Sequence, residues 1–265
     1  MIAALPSLIG VIHLSPLPGS PRSSGDLHGV IDAAVRDALV LTEAGFEGII
    51  VENFGDAPFI PGAVAPVTTA VMTACALSVR SAAPAISVGV NVLRNDAEAA
   101  LAVAVGSGAD FIRVNVHTGA RLTDQGIIEG AAHRTLRLRR EWGAERVRLL
   151  CDIDVKHSAP LAPRALGEEA DELAGRGLAD AVLVTGAGTG QRASLKDLDE
   201  VLAAVRVPVF VASGVTIETL ADVRLAHGVI VGSSLRRTGR AGDPVDRELA
   251  LRFAEAFRQV WIPAT

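Results

Sequence analysis

Cysteine is scarce in this chain: Cys75 and Cys151 are the only two in 265 residues. Two cysteines supply neither a disulfide framework nor a thiol cluster for zinc, so both read as buried apolar residues. Basic charge is also in deficit, with a formal net charge of -5 and a pI near 5.7. That balance argues against a general nucleic-acid binder, which carries a basic face. The run Arg134, Arg137, Arg139 and Arg140 reads instead as a solvated helix face. No uninterrupted apolar stretch reaches the roughly 18 residues of a membrane span. The opening Met1-Ile2-Ala3-Ala4-Leu5-Pro6 lacks the basic region of a secretory leader. No internal repeat, low-complexity tract or linker interrupts the chain. These absences lead to the expectation of a soluble, cytoplasmic protein with no integral membrane segment and no nucleic-acid partner.

What is present is an alternation of short apolar runs with amphipathic stretches. Strands are expected near Leu8 to His13, Gly48 to Glu52, Ala85 to Asn91, Asp110 to Asn115, Arg146 to Asp154, Asp180 to Thr185, Val207 to Ala212 and Gly228 to Val231. Helices are expected over Asp26 to Ala44, Asp96 to Ser107, Ile128 to Trp142, Leu166 to Arg176 and Asp246 to Val260. Strand and helix in alternation predict a parallel sheet with right-handed crossovers. Eight strands in a chain close to the roughly 250 residues typical of the fold predict one α/β domain, a TIM (β/α)8 barrel spanning residues 1–265. In the last helix, Leu249, Phe253, Phe257 and Val260 recur at helical spacing and should close the barrel, with a homo-oligomer contact as the alternative.

The strand ends carry the chemistry. His13, Glu52, Asn91, Asn115, Asp154, Thr185, Ser213 and Gly232 fall at successive C-terminal ends, the face on which TIM barrels build active sites. Side-chain parity refines this, because residues facing the helices should be apolar. Ile112, Val114 and Val116 take the outer face, which sends Arg113 and Asn115 inward. The same alternation sends Asp152, Asp154 and Lys156 inward from the fifth strand, and Ser87, Gly89 and Asn91 from the third. Unpaired buried charge is costly, so a purely structural role would pair Arg113 with Asp152 or Asp154, and Lys156 with another acid such as Glu52, to neutralise the mouth.

A carboxylate, an ammonium group and an imidazole in one mouth supply a base, an acid and an electrostatic stabiliser. His13, Glu52, Asp152, Asp154 and Lys156 are therefore the catalytic candidates, with Asn91, Arg113, Asn115, Thr185 and Gly186 placed to orient substrate. His157 is a further candidate for proton transfer. Lys156 would act as a Schiff-base nucleophile only if cations or burial depressed its pKa. Two flanking aspartates should hold that pKa up, so it reads as a charge partner or proton donor. No cofactor is identified. A divalent metal on Glu52, Asp152, Asp154 and a histidine fits hard-cation chemistry, but no ligand spacing marks it and the metal stays unassigned.

Ser213-Gly214 and Gly232-Ser233 are small-residue turns at the seventh and eighth strand ends, where such barrels commonly hold phosphate. A phosphorylated small molecule is thus the expected ligand. The segment Val184 to Gln191 is glycine-rich but departs from GxGxxG and follows the sixth strand, which excludes a Rossmann reading. Asp56 to Gly62 and Thr118 to Gly126 are turn-rich loops that serve either as surface connections or as closing segments.

Several blocks resemble the BtpA/SgcQ family: His13 to Gly19, Glu52 to Phe59, Asn91 to Asp96, Phe111 to Asn115, Asp152 to His157, and Thr185-Gly186 with Thr189-Gly190. They are long, in order, and span nearly the whole chain. The resemblance implies a TIM barrel with a phosphate-binding terminal quarter. The family name derives from photosystem I biogenesis, while relatives occur in organisms without photosynthesis and others sit among sugar transport and kinase functions. Two positions depart from the pattern: Arg236 replaces a Lys, which keeps the charge, and His227 replaces an Asp, which touches the entry to the last strand. The leading expectation is an enzyme acting by acid/base chemistry on a phosphorylated sugar, nucleotide or related metabolite, through isomerisation, carbon–carbon lysis or glycosidic cleavage. The alternatives are a noncatalytic photosystem I assembly or stability factor and a phosphometabolite sensor.

Overall fold

A computed structural model describes residues 5–186 and 188–261. Met1 to Ala4, to which part of the N-terminal reading refers, Ala187 within the glycine-rich segment, and residues 262–265 lie outside the described residues. Eight parallel strands close into a barrel: β1 (Leu8–His13), β2 (Gly48–Glu52), β3 (Ser87–Asn91), β4 (Phe111–Val114), β7 (Arg148–Asp152), β9 (Ala181–Val184), β10 (Val209–Val211) and β11 (Gly228–Val231). The chain runs once around the ring, and β1 closes it by pairing with β11. The helices between them are α1 (Leu27–Ala44), α2 (Pro66–Ala82), α3 (Ala97–Ser107), α4 (Ala132–Glu141), α5 (Leu166–Gly175), α6 (Leu195–Ala204) and α7 (Arg247–Val260). Local chemistry sets their ends. Asp26, Asp96, Ser194 and Asp246 accept from backbone N–H groups in the first turns of α1, α3, α6 and α7, and Gly45 and Gly108 end α1 and α3 in the left-handed conformation.

Strand parity divides the core as expected. Ile49, Val51, Val88, Val90, Ile112, Val114, Leu149 and Cys151 join the outer layer against the helices. Ile9, Val11, Ile50, Phe111, Leu150, Leu183, Phe210 and Ile230 fill the barrel interior. The two phenyl rings depend on glycine. Gly89 is the register partner of Phe111 and Gly228 of Phe210. A Cβ at Gly89 would lie 2.1 Å from the Phe111 ring, and one at Gly228 2.4 Å from that of Phe210.

Around the N-terminal rim, the residue before a strand reaches back to the preceding strand. Asp110 accepts from Val88 N–H (2.9 Å), Asp180 from Leu149 N–H (2.9 Å), and His227 Nδ1 from Val209 N–H (3.0 Å). The imidazole of His227 therefore supplies the acceptor that carboxylates supply elsewhere on the rim.

One region departs from the sequence expectation. Thr118 to Gly126 is not a plain loop, and Ile128 does not begin a helix. β5 (Ala120–Thr123) and β6 (Gly126–Glu129) form an antiparallel hairpin, and β8 (Ser158–Pro160) adds to its other side. This small sheet ties the segment after β4 to the segment after β7. The cue was the turn Asp124-Gln125 followed by Gly126 at φ +96°, between two short runs of alternating polarity.

Replacing His227 with Ala should cost about 1 kcal/mol by stranding Val209 N–H, whereas His227→Asp should stay close to the parent protein. Chemical denaturation of the two variants checks this.

Candidate active site

The C-terminal mouth of the barrel holds a small cavity of about 40 Å³ that opens to solvent. His13, Glu52, Arg113 and Lys156 line one part of it, and Ser213, Gly214, Gly232 and Ser233 line another. Both groups of sequence-proposed residues thus share one space. At its floor the buried Arg113 grips the buried Asp152, with Nε to Oδ1 at 3.1 Å and Nη2 to Oδ2 at 3.0 Å. Asn115 Nδ2 donates to the same carboxylate at 2.7 Å. Burial works against the Arg113 charge, but Asp152 and Glu52 outweigh it and raise its pKa. Asn91 Nδ2 donates to Glu52 Oε2 at 2.6 Å, which leaves Glu52 Oε1 facing His13 Nε2 at 3.8 Å.

His13 is a neutral hydrogen-bond donor. Its Nδ1 accepts from Gly242 N–H at 3.2 Å, so the ring proton sits on Nε2, toward Glu52. Its ring lies 4.6 Å from that of Phe54. Burial, followed by Arg236, Lys156 and Arg113, pushes its pKa well below the ordinary 6.5.

Several expected positions fall elsewhere. Asp154 is beyond the end of β7 and exposed, paired with Arg121 at 3.2 Å. Arg121, projected from the hairpin, also binds Glu169 and the Ile153 carbonyl, and this cluster draws Asp154 out of the mouth. Thr185 spends its hydroxyl on the Asp154 carbonyl. Gly186 packs against the chain at Gln191, where a Cβ would lie 2.2 Å from the carbonyl oxygen. Thr185 and Gly186 therefore shape the wall behind the cavity rather than its surface. Ser213 Oγ donates to the carbonyls of Gly188 and Gln191, securing the glycine-rich segment. Gly214, at φ +63°, meets that segment so closely that a Cβ would fall 2.4 Å from Gln191. His157 Nε2 accepts from Thr189 N–H at 3.2 Å and lies 3.0 Å from its hydroxyl, bridging the segments after β7 and β9. Of the loops considered for closure, the one after β2 is pinned by Asp56, which accepts from Leu17 N–H and Asn53 Nδ2.

The metal expectation meets no assembled site. Asp154 is diverted and Asp152 is committed to Arg113. Among the described residues no group of three or more His, Cys, Asp or Glu is arranged to hold an ion.

The Lys156 expectation is reversed. Burial, then Arg113, lowers its pKa, and Arg94 adds to this against the pull of Glu52 and Asp152. Among the described residues no carboxylate lies within 4.0 Å of its ammonium.

Two arginines to which the sequence analysis gave no role in the site also stand at the mouth. The buried Arg94 donates to the Lys156 carbonyl at 2.7 Å. Arg236, 2% exposed, donates to the carbonyls of Val11 (2.6 Å), Gly232 (2.5 Å) and Asp243 (3.2 Å). Burial pushes its pKa down to about 10, which leaves it charged at neutral pH. Their sequence cues were a basic residue past a strand end and their place in or beside the family pattern.

Fold and site together define a TIM-barrel protein with a charged mouth. The fold is shared with thiamine phosphate pyrophosphorylase from Pyrococcus furiosus, at TM-score 0.59 and 16% identity over 96% of each chain. It is shared equally with 3-keto-L-gulonate-6-phosphate decarboxylase from Vibrio cholerae, at TM-score 0.57 and 14% identity over 97% of this chain and 99% of that one. The chain belongs to the BtpA family, whose model matches residues 5–259. It is 44% identical to the photosystem I biogenesis protein BtpA of Synechocystis, over 95% of this chain and 88% of that protein. No described helix is long and apolar enough to cross a membrane.

Asp152→Ala should destabilise the protein by about 3–5 kcal/mol, because it leaves the Arg113 charge buried and uncompensated; urea unfolding measures it. His13 gives a second expectation. Its folded-state pKa lies below the unfolded value near 6.5, so its neutral burial contributes stability above that pH and loses it as the pH falls. The Tm of His13→Asn should therefore decline less between pH 7 and 5 than that of the parent protein.

Proposed function

We propose that this protein is an enzyme that anchors a phosphorylated small molecule at the turns after β10 and β11 and performs acid/base chemistry at His13, Glu52 and Lys156. One observation carries the reading. Gly214, Val215, Gly232 and Ser233 line the same cavity as those three side chains, and their backbone N–H groups find no acceptor among the described residues. Clustered unpaired N–H donors favour an anion, and a dianion that accepts from several of them binds without a dedicated cation. Arg236 holds the Gly232 carbonyl from behind, which fixes how the turn presents its amides. The fold neighbours bear the names of enzymes of phosphorylated compounds, which agrees with an anion at this end of the barrel.

The remainder of the ligand would lie toward Glu52 and Lys156. There the carboxylate is free on Oε1 to take a proton, and His13 Nε2–H is oriented to polarise an oxygen. Binding at the nonreacting phosphate holds the reacting atoms in register with these groups. Arg113 serves as a fixed positive charge on the floor.

A noncatalytic assembly role has one observation in its favour. Leu122 and Ile127, cross-strand partners in the hairpin, are 50% and 56% exposed, with Leu161 at 54% nearby. Changing them to Ser would impair such a role and leave turnover intact.

Thermal-shift measurements with matched phosphorylated and unphosphorylated sugars and nucleotides test the main reading. A phosphorylated ligand at a hundred times its Kd should add about 2.7 kcal/mol of stability. Ser233→Asp, which puts a carboxylate among the N–H donors, should abolish that gain. Stabilisation by neither set, or equally by both, would sink the proposal.

A further inference from the structure

The cations of this chain are almost all arginine: Lys156 and Lys196 are its only lysines. Lys196 is exposed on α6, whereas Lys156 is half-buried in the barrel mouth. Arginine serves as the permanent cation wherever a structural charge is needed, as in Arg113 on Asp152, Arg121 on Glu169 and Arg236 on three carbonyls. Position 156 alone puts an amine in the mouth, a group that can shed its proton and present a lone pair. Of the neighbouring carboxylates, Asp152 is engaged by Arg113 and Asn115 and Asp154 by Arg121, while Glu52 keeps one oxygen free but makes no ion pair with Lys156. Lys156 is therefore poorly explained as half of a structural ion pair.

We infer that Lys156 is a nucleophile that forms an imine with a phosphorylated aldehyde or ketone anchored at the Ser213-Gly214 and Gly232-Ser233 turns. This rests on the phosphate-anchoring reading above and narrows its substrate to a carbonyl compound. Glu52 takes a proton from the Lys156 ammonium through one bridging water, and the freed amine attacks the carbonyl carbon. The C–N bond forms as the carbonyl π pair moves to oxygen, which receives the second amine proton. The carboxyl of Glu52 then returns its proton to the carbinolamine hydroxyl, which leaves as water, and an iminium remains on a regenerated carboxylate. His13 Nε2–H donates to the oxygen throughout without transferring its proton, as its tautomer allows. Arg113 and Arg94, together with burial, favour the neutral amine. Arg94 also secures the backbone at position 156 through the Lys156 carbonyl.

The test is reductive trapping. The full-length protein is incubated with glycolaldehyde phosphate or dihydroxyacetone phosphate and borohydride, then weighed intact and mapped by peptide. Imine reduction adds the mass of the probe less one oxygen atom. The adduct is expected on Lys156 in roughly tenfold preference to Lys196, the internal control. It should fall with excess inorganic phosphate and with the unphosphorylated probes. Lys156→Arg, which keeps the charge, should lose the adduct yet still gain Tm with inorganic phosphate. If inorganic phosphate stabilises the protein but no probe adds to Lys156, the imine is overturned and the anchor stands. If adducts form equally on both lysines or without regard to phosphate, the imine is likewise overturned. Failure of inorganic phosphate to bind removes the anchor itself and the inference with it.

Discussion

The paired charges of Arg113 and Asp152 are the constraint around which the mouth is organised. Two ions this deeply buried are tolerated only because the guanidinium meets both carboxylate oxygens and Asn115 adds a third hydrogen bond. Once that carboxylate is committed, it has little left for other cations. Burial, and then the positive neighbours, lower the pKa of Lys156, four residues further along, and that of the His13 imidazole. The state of both side chains thus follows first from burial and then from the fixed cations around the mouth, Arg113 among them.

Much of this was legible beforehand. β1, β2 and β11 begin and end where alternation placed them, and the inward positions of Arg113 and Asp152 followed from the apolar outer face of their strands. Parity is reliable there because every residue of a closed parallel barrel sees either helices or interior. It ceases to hold where a strand ends. Asp154 was assigned by extending alternation two residues past Asp152, and beyond the ladder no backbone pairing holds the side chain to a face. Its direction was then decided by Arg121, more than thirty residues earlier in sequence and on a hairpin that looked like a polar loop. What Arg94 and Arg236 hold was illegible for a related reason: their partners are backbone carbonyls, and a carbonyl has no sequence signature.

The rim and the mouth use different materials. At the N-terminal rim, Asp110, Asp180 and His227 each accept a backbone N–H at the root of the preceding strand. At the mouth, the N–H groups of Gly214, Val215, Gly232 and Ser233 have no acceptor among the described residues. One end is closed by satisfied donors and the other is made receptive by unsatisfied ones. This division explains why His227 can replace a carboxylate without touching the chemistry, while the position of Arg236 acts on the turn itself.

The two phenyl rings inside the barrel have a consequence for assembly of the sheet. Phe111 on Gly89 and Phe210 on Gly228 occupy the seam between the third and fourth barrel strands and the seam between the seventh and eighth, which lie diametrically opposite each other in an eight-membered ring. A one-residue slip at either seam would set a ring against a residue that bears a side chain and turn the strand's inner set outward. The barrel is therefore keyed at two opposite points, like a cylinder with two notches, and its stagger admits a single setting. That setting also fixes the height at which the polar ends of all eight strands meet.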